Sequence, residues 1–111
     1  MKESSHLCMV VAYYLSKFDK KAYEELGLGN RTESHKKIGY ILNVNENTVK
    51  NMRDEFDPLH DNPRSGWHQR PLRPSRQLIV EQYQALEEEE LRGLVIEILE
   101  IKPHIEIFKN P

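Results

Sequence analysis

Apolar residues at Leu7, Val10, Val11, Tyr14, Leu15 and Phe18 recur at spacings of three and four, which predicts an amphipathic helix over 4–18. Asp19 is placed to cap a second, short helix over 20–26, with Ala22, Tyr23 and Leu26 on one side. Gly27 and Gly29 end it, because glycine enters the left-handed conformation without steric cost. Thr32 or Ser34 caps a third helix running to Leu42, and a fourth runs from Asn45 to about Asp57–Pro58, where proline disfavours helical geometry in the preceding residue. Ser75 is the expected N-cap of a fifth, with Leu78, Ile79, Gln82 and Tyr83 along it. A sixth, about 87–101, packs Leu91, Leu94, Val95, Ile98 and Ile101, and its first turn holds Glu87 to Glu90, where the helix dipole favours negative charge. The tail after Pro103 alternates weakly, like a short strand.

Between the fourth and fifth helices, residues 57–74 hold Pro58, Pro63, Pro71, Pro74 and Gly66. Stretches this long without an element of their own are usually functional or disordered, and Trp67 argues against plain disorder. The pattern as a whole predicts an all-α domain over 1–111. Five or six helices surround a helix-turn-helix at 35–56, followed by a basic loop at 57–76, which would be an arm or a wing, and C-terminal helices at 77–101.

Composition narrows the class. With 111 residues, 38% hydrophobic and 31% charged, the chain suits one domain with a modest core. No run approaches the roughly 18 apolar residues of a membrane span, and the apolar stretch from Leu7 to Leu15 lacks the flanks of a signal peptide. Cys8 is the only cysteine, which excludes an internal disulfide and a cysteine-based zinc site, so a reducing, cytoplasmic setting is expected. The net charge of −2 divides unevenly, into +2 over 1–44, +1 over 45–80 and −5 over 81–111. Any charge relevant to a partner is therefore local.

The strongest signal is H-K-K-I-G-Y-I-L-N-V-N-E-N-T-V-K-N-M-R-D-E-F, residues 35–56. Ile38, Ile41 and Leu42 point inward from the first helix, and Val49, Met52 and Phe56 from the second, with Val44 plugging the turn. Gly39 lets the second helix cross closely, Asn43 takes the left-handed position, and Asn45 caps the second helix. This spacing resembles the helix-turn-helix of many bacterial DNA-binding proteins, with Asn43 in place of the usual glycine. On that reading Asn45, Asn47, Thr48, Lys50 and Asn51 contact bases, with Asp54 on the same outward face and Glu46 at the groove entrance. Asparagine can meet adenine through two bonds, threonine a thymine methyl, and lysine guanine or phosphate. Arg53, near the edge, is expected on the phosphate backbone. The alternative is a helical hairpin with a polar outer face.

A second signal is N-P-R-S-G-W-H-Q-R-P-L-R-P-S-R, residues 62–76, which holds arginines, an aromatic and no acid. Arg64, His68, Arg70, Arg73 and Arg76 are the expected backbone contacts. Alternatively Trp67 and Leu72 pin the loop while the arginines solvate it or pair with Glu87 to Glu90.

Three blocks together, Y-Y-L-S-K-F-D-K-K-A-Y-E-E-L-G, L-N-V-N-E-N-T-V-K-N-M-R-D-E-F-D-P and the arginine stretch, resemble small N-terminal helix-turn-helix modules that accompany bacterial restriction and HNH-type nucleases. The resemblance implies binding of double-stranded DNA and supplies no reaction. Within the chain, Glu100-Ile101-Lys102 matches half of a metal-dependent nuclease site but lacks a sheet to carry a second acid. His60 and His68 with Asp57 and Asp61 match no established metal spacing, and His35 reads as a surface residue. No enzyme activity, metal or cofactor is expected. The sixth helix is apolar on more than one face, which would suit a homodimer or a partner protein. An acidic interaction or inhibitor module of a phage or defence system is thus the rival to DNA binding.

Overall fold

The computed structural model describes residues 3–57 and 72–100. It is all-α, with helices α1 (Glu3–Leu26), α2 (Arg31–Leu42), α3 (Glu46–Phe56), α4 (Pro74–Tyr83) and α5 (Glu88–Leu99), and no strand among the described residues. Of the expected basic loop at 57–76, residues 58–71 lie outside them, as does the strand-like tail, and 74–76 belong to α4 rather than to the loop.

Helix α1 is the hub. It packs against α2, α3, α4 and α5, and none of the consecutive residues Cys8 to Ser16 is more than 1% exposed. This corrects the amphipathic reading of 4–18. The run L-C-M-V-V-A-Y-Y-L is apolar all round, and a helix of that kind belongs inside a protein rather than on its surface. The two helices predicted on either side of Asp19 are present as one element with a break there, where Asp19 adopts φ 44° and ψ −121°. The Asp19 carboxylate accepts a bond from Arg31 at 3.1 Å. Tyr13 meets Phe56 of α3 edge-on, ring centres 5.3 Å apart.

The starts and ends of the helices follow local chemistry, with three corrections, and a fourth concerns the face of α2. Asn30, not Thr32 or Ser34, caps α2. Its side chain accepts from the Glu33 amide at 2.8 Å while Glu33 accepts from the Asn30 amide at 3.1 Å, a reciprocal pair that satisfies two otherwise orphaned donors. At α4 the cap position is Arg73 and Pro74 leads the helix, where its fixed φ already fits. Ser75 lies inside, its hydroxyl accepting from Arg76. Helix α5 stops at Leu99, with Glu100 left-handed at φ 54°. Ile41 does not point inward. The buried stripe of α2 is Ser34, His35, Ile38, Gly39 and Leu42, so position 41 falls on its flank, 38% exposed, and Tyr40, at 90%, lies opposite.

The acids of α5 are partly consumed internally. Tyr14 donates to Glu88 at 2.7 Å, and Arg92 bridges Glu88 at 3.1 Å and Glu25 at 3.2 Å. Leu91, Val95 and Leu99 are buried, whereas Leu94, Ile96 and Ile98 are half-buried against the core.

Candidate nucleic-acid interface

Three residues, Asn43 to Asn45, join α2 to α3. Asn43 adopts φ 58° and ψ 46°, the left-handed region that asparagine tolerates best after glycine. The Val44 amide returns to the Gly39 carbonyl at 2.9 Å, and the Asn45 side chain accepts from the Asn47 amide at 2.8 Å. The roles of Asn43 and Asn45 were legible in the sequence. Gly39 is there because a Cβ would lie 2.6 Å from the Val44 carbonyl oxygen and 3.3 Å from the Glu46 amide nitrogen, both backbone atoms. Gly39→Ala should therefore force α3 away from α2 and lower the unfolding free energy by about 1–3 kcal/mol in urea titration. An unchanged midpoint would mean that the turn can give way freely.

The outward row of α3 carries Asn47, Lys50 and Asn51, all exposed. Of the other expected base contacts, Asn45 is exposed but its side chain is committed to the cap, and Thr48 is half-buried. Lys50 Nζ lies 3.2 Å from Asp54 Oδ2, one turn along the helix. Glu46 is half-buried in the first turn.

The expected backbone arginines need correction. Arg53 is buried, 4% exposed. Its guanidinium donates to Tyr23 Oη at 2.9 Å and to Asp54 Oδ1 at 2.8 and 3.2 Å, and lies 4.0 Å from Asp57. Arg76 is 7% exposed and bound to Glu55 at 3.1 Å. Arg73 is exposed, yet it forks onto the same Glu55 at 2.7 and 3.2 Å. These three guanidiniums are already matched by carboxylates of α3, and the acid that draws Arg73 and Arg76 is Glu55 rather than any of Glu87 to Glu90. Arg64, His68 and Arg70 lie outside the described residues.

Sequence reasoning missed a buried polar junction of three helices. His35 of α2, expected at the surface, is 6% exposed. Its Nε2 stands 2.7 Å from Tyr23 Oη of α1 and 3.5 Å from Arg53 of α3. Arg53 has only donors, so the Tyr23 hydroxyl accepts from it and is hydrogen-bonded in turn to His35. Burial, then the charge of Arg53, holds the His35 imidazole down to about 4, which keeps it neutral near pH 7. Ser16 donates to Asp57 at 2.6 Å beside the junction. The signal was in the periodicity, since His35 precedes Ile38 by three residues on the inward stripe of α2.

Cys8 is buried, and burial pushes its thiol up to about 11, as for a small core hydrophobe. Among the described residues no group of three or more His, Cys, Asp or Glu side chains is arranged to hold a metal ion. No helix among them is long and apolar enough to cross a membrane. The class these features define is an all-helical domain in which three residues join α2 to α3 and α3 carries an exposed polar row. Comparison of the chain with protein-family models, curated proteins and solved structures gives no match.

Proposed function

We propose that this chain binds double-stranded DNA, with α3 as the helix that enters the major groove, as the targeting module of a bacterial restriction or HNH-type nuclease, and that it carries out no catalysis itself. The observation that supports this most is the construction of the turn. A left-handed Asn43, a capped α3 and a glycine against the turn backbone fix α3 against α2, and the row Asn47, Lys50, Asn51 is exposed. These are side chains that read base edges in pairs. With Arg53, Arg73 and Arg76 engaged, the backbone charge on this reading comes from Lys36 and Lys37 of α2, both exposed, together with Arg64 and Arg70.

The test is fluorescence anisotropy of the chain with a random 20-base-pair duplex across salt concentrations, followed by selection of a preferred site. Asn47→Ala/Asn51→Ala should cost about 1–3 kcal/mol on the preferred site for each base no longer read, and little on random DNA. Lys36→Ala/Lys37→Ala should weaken all sequences alike and flatten the logarithmic salt slope by about two. No binding at low salt sinks the reading.

A second reading, docking of a partner protein, draws on the outer face of α2. Tyr40 is 90% exposed, and with Ile41, Leu28 and the stems of Lys36 and Lys37 it lines a shallow apolar depression. Tyr40→Ser separates the two, because it leaves DNA affinity unchanged on the first reading.

A further inference from the structure

The outward row of α3 is not a free set of side chains. Asp54 is only 13% exposed at its side chain, and its two oxygens serve different partners. Oδ1 receives Arg53 at 2.8 and 3.2 Å, while Oδ2 receives the Lys50 ammonium at 3.2 Å. Arg53 is itself fixed from behind by Tyr23 at 2.9 Å, with Asp57 at 4.0 Å and His35 at 3.5 Å. A chain of contacts thus runs from α1 through the interior of α3 to the head of its one exposed lysine. Asp54 cannot swing away without abandoning a buried guanidinium.

We propose that Asp54 sets the sequence selectivity of α3 by holding the Lys50 ammonium in place; this rests on the DNA reading above. An untethered lysine is a point charge on a flexible stem that settles on any phosphate in reach. Held by Asp54, the ammonium stays at one position on the outer face of α3, the face that also carries Asn47 and Asn51. The carboxylate also faces whatever Lys50 approaches. A wrong sequence that offers only phosphate oxygens there meets a repelling charge, which is how discrimination is built against competitors as well as for the target.

The test compares the intact chain with Asp54→Asn, Lys50→Gln and the double variant, by anisotropy on a random 20-base-pair duplex and on the selected site over a salt series. Asparagine keeps an acceptor for Arg53, and thermal unfolding verifies that the variant folds. Asp54→Asn should bind random DNA about fivefold more tightly, within the range of one surface ion pair. Its salt slope should steepen by about 0.9, the counterion release of one more phosphate contact, and its preference for the selected site should fall. In the Lys50→Gln background the same substitution should change nothing. A gain that persists without Lys50 is a general charge effect and overturns the assignment, as does an Asp54→Asn chain that binds like the parent. If Asp54→Asn does not fold, Asp54→Glu retains the charge but displaces the lysine. It should lose selectivity at an unchanged salt slope, and unaltered selectivity overturns the assignment. Absence of binding by parent and variants alike at low salt overturns the DNA reading and this assignment together, whereas a binding parent with indifferent variants overturns this assignment alone.

Discussion

Replacing Arg53 with methionine should lower the unfolding free energy by about 3–5 kcal/mol, a large share of the roughly 5–15 kcal/mol that holds a domain together. The effect is large because the guanidinium is 4% exposed and serves three partners at once, Tyr23, Asp54 and Asp57. Methionine restores the volume and none of the donors, so the Asp57 carboxylate, itself 1% exposed, is deprived of the buried cation beside it. Arg53→Lys should recover part of the loss, since an ammonium cannot fork across Asp54 while also reaching Tyr23. Arg73→Met is the matched control. Arg73 also pairs with a carboxylate, but its side chain is 62% exposed, and its removal should cost less than about 1 kcal/mol. Urea titration of the three variants decides the matter. Equal midpoints for Arg53→Met and Arg73→Met would show that the buried junction contributes no more than a surface pair.

Acid should destabilise the fold through His35 before the bulk of the carboxylates titrate. The imidazole is held down to about 4 in the folded chain, against an ordinary value near 6.5. Between those values the unfolded chain binds the extra proton and the folded chain does not, so stability rises with pH there. The contribution is fully present above pH 6.5, falls as pH drops towards 4, and at its limit is about 3 kcal/mol. His35→Gln retains a polar partner for Tyr23 and cannot titrate. Unfolding free energies measured from pH 7.5 to 4.5 should slope clearly for the parent and much less for the variant. Parallel curves would show that the junction opens to water when it charges. The geometry gives a reason why it should resist: a protonated His35 would place a second cation 3.5 Å from Arg53.

Apart from the caps of α2 and α4, which were local yet misplaced, what could be read in advance follows from range along the chain. The caps and breaks at Gly27, Asn43 and Asn45, and the close crossing at Gly39, depend on residues a few positions away, and the sequence carries them on its face. The inward stripe of α3, Val49, Met52 and Phe56, obeyed its periodicity as well; in α5 Leu91 and Val95 did, while Leu94 and Ile98 are half-buried and Ile101 lies outside the described residues. The partners of the arginines did not announce themselves. Arg73 and Arg76 reach Glu55 across 18 and 21 positions, and Arg53 reaches Tyr23 across 30. Nothing local distinguishes an arginine destined for phosphate from one destined for a carboxylate of the same chain. His35 was misplaced for a different reason. Its neighbours Lys36 and Lys37 suggest solvent, yet the helical period had already set it beside Ile38 and Leu42. The burial of residues 8–16 of α1 on every side was visible in the unbroken apolar run, which periodicity alone understates.

That central position has a consequence for how the chain comes into being. Helix α1 leaves the ribosome before every surface that covers it, and the Tyr13–Phe56 contact closes only once α3 has been made. Until then its belt of valines, tyrosines and leucines is uncovered apolar surface, which favours aggregation. A fragment ending after α2 should accordingly be recovered as aggregate, and the α2–α3 hairpin, excised without α1, should have no rigid floor on which to hold its crossing.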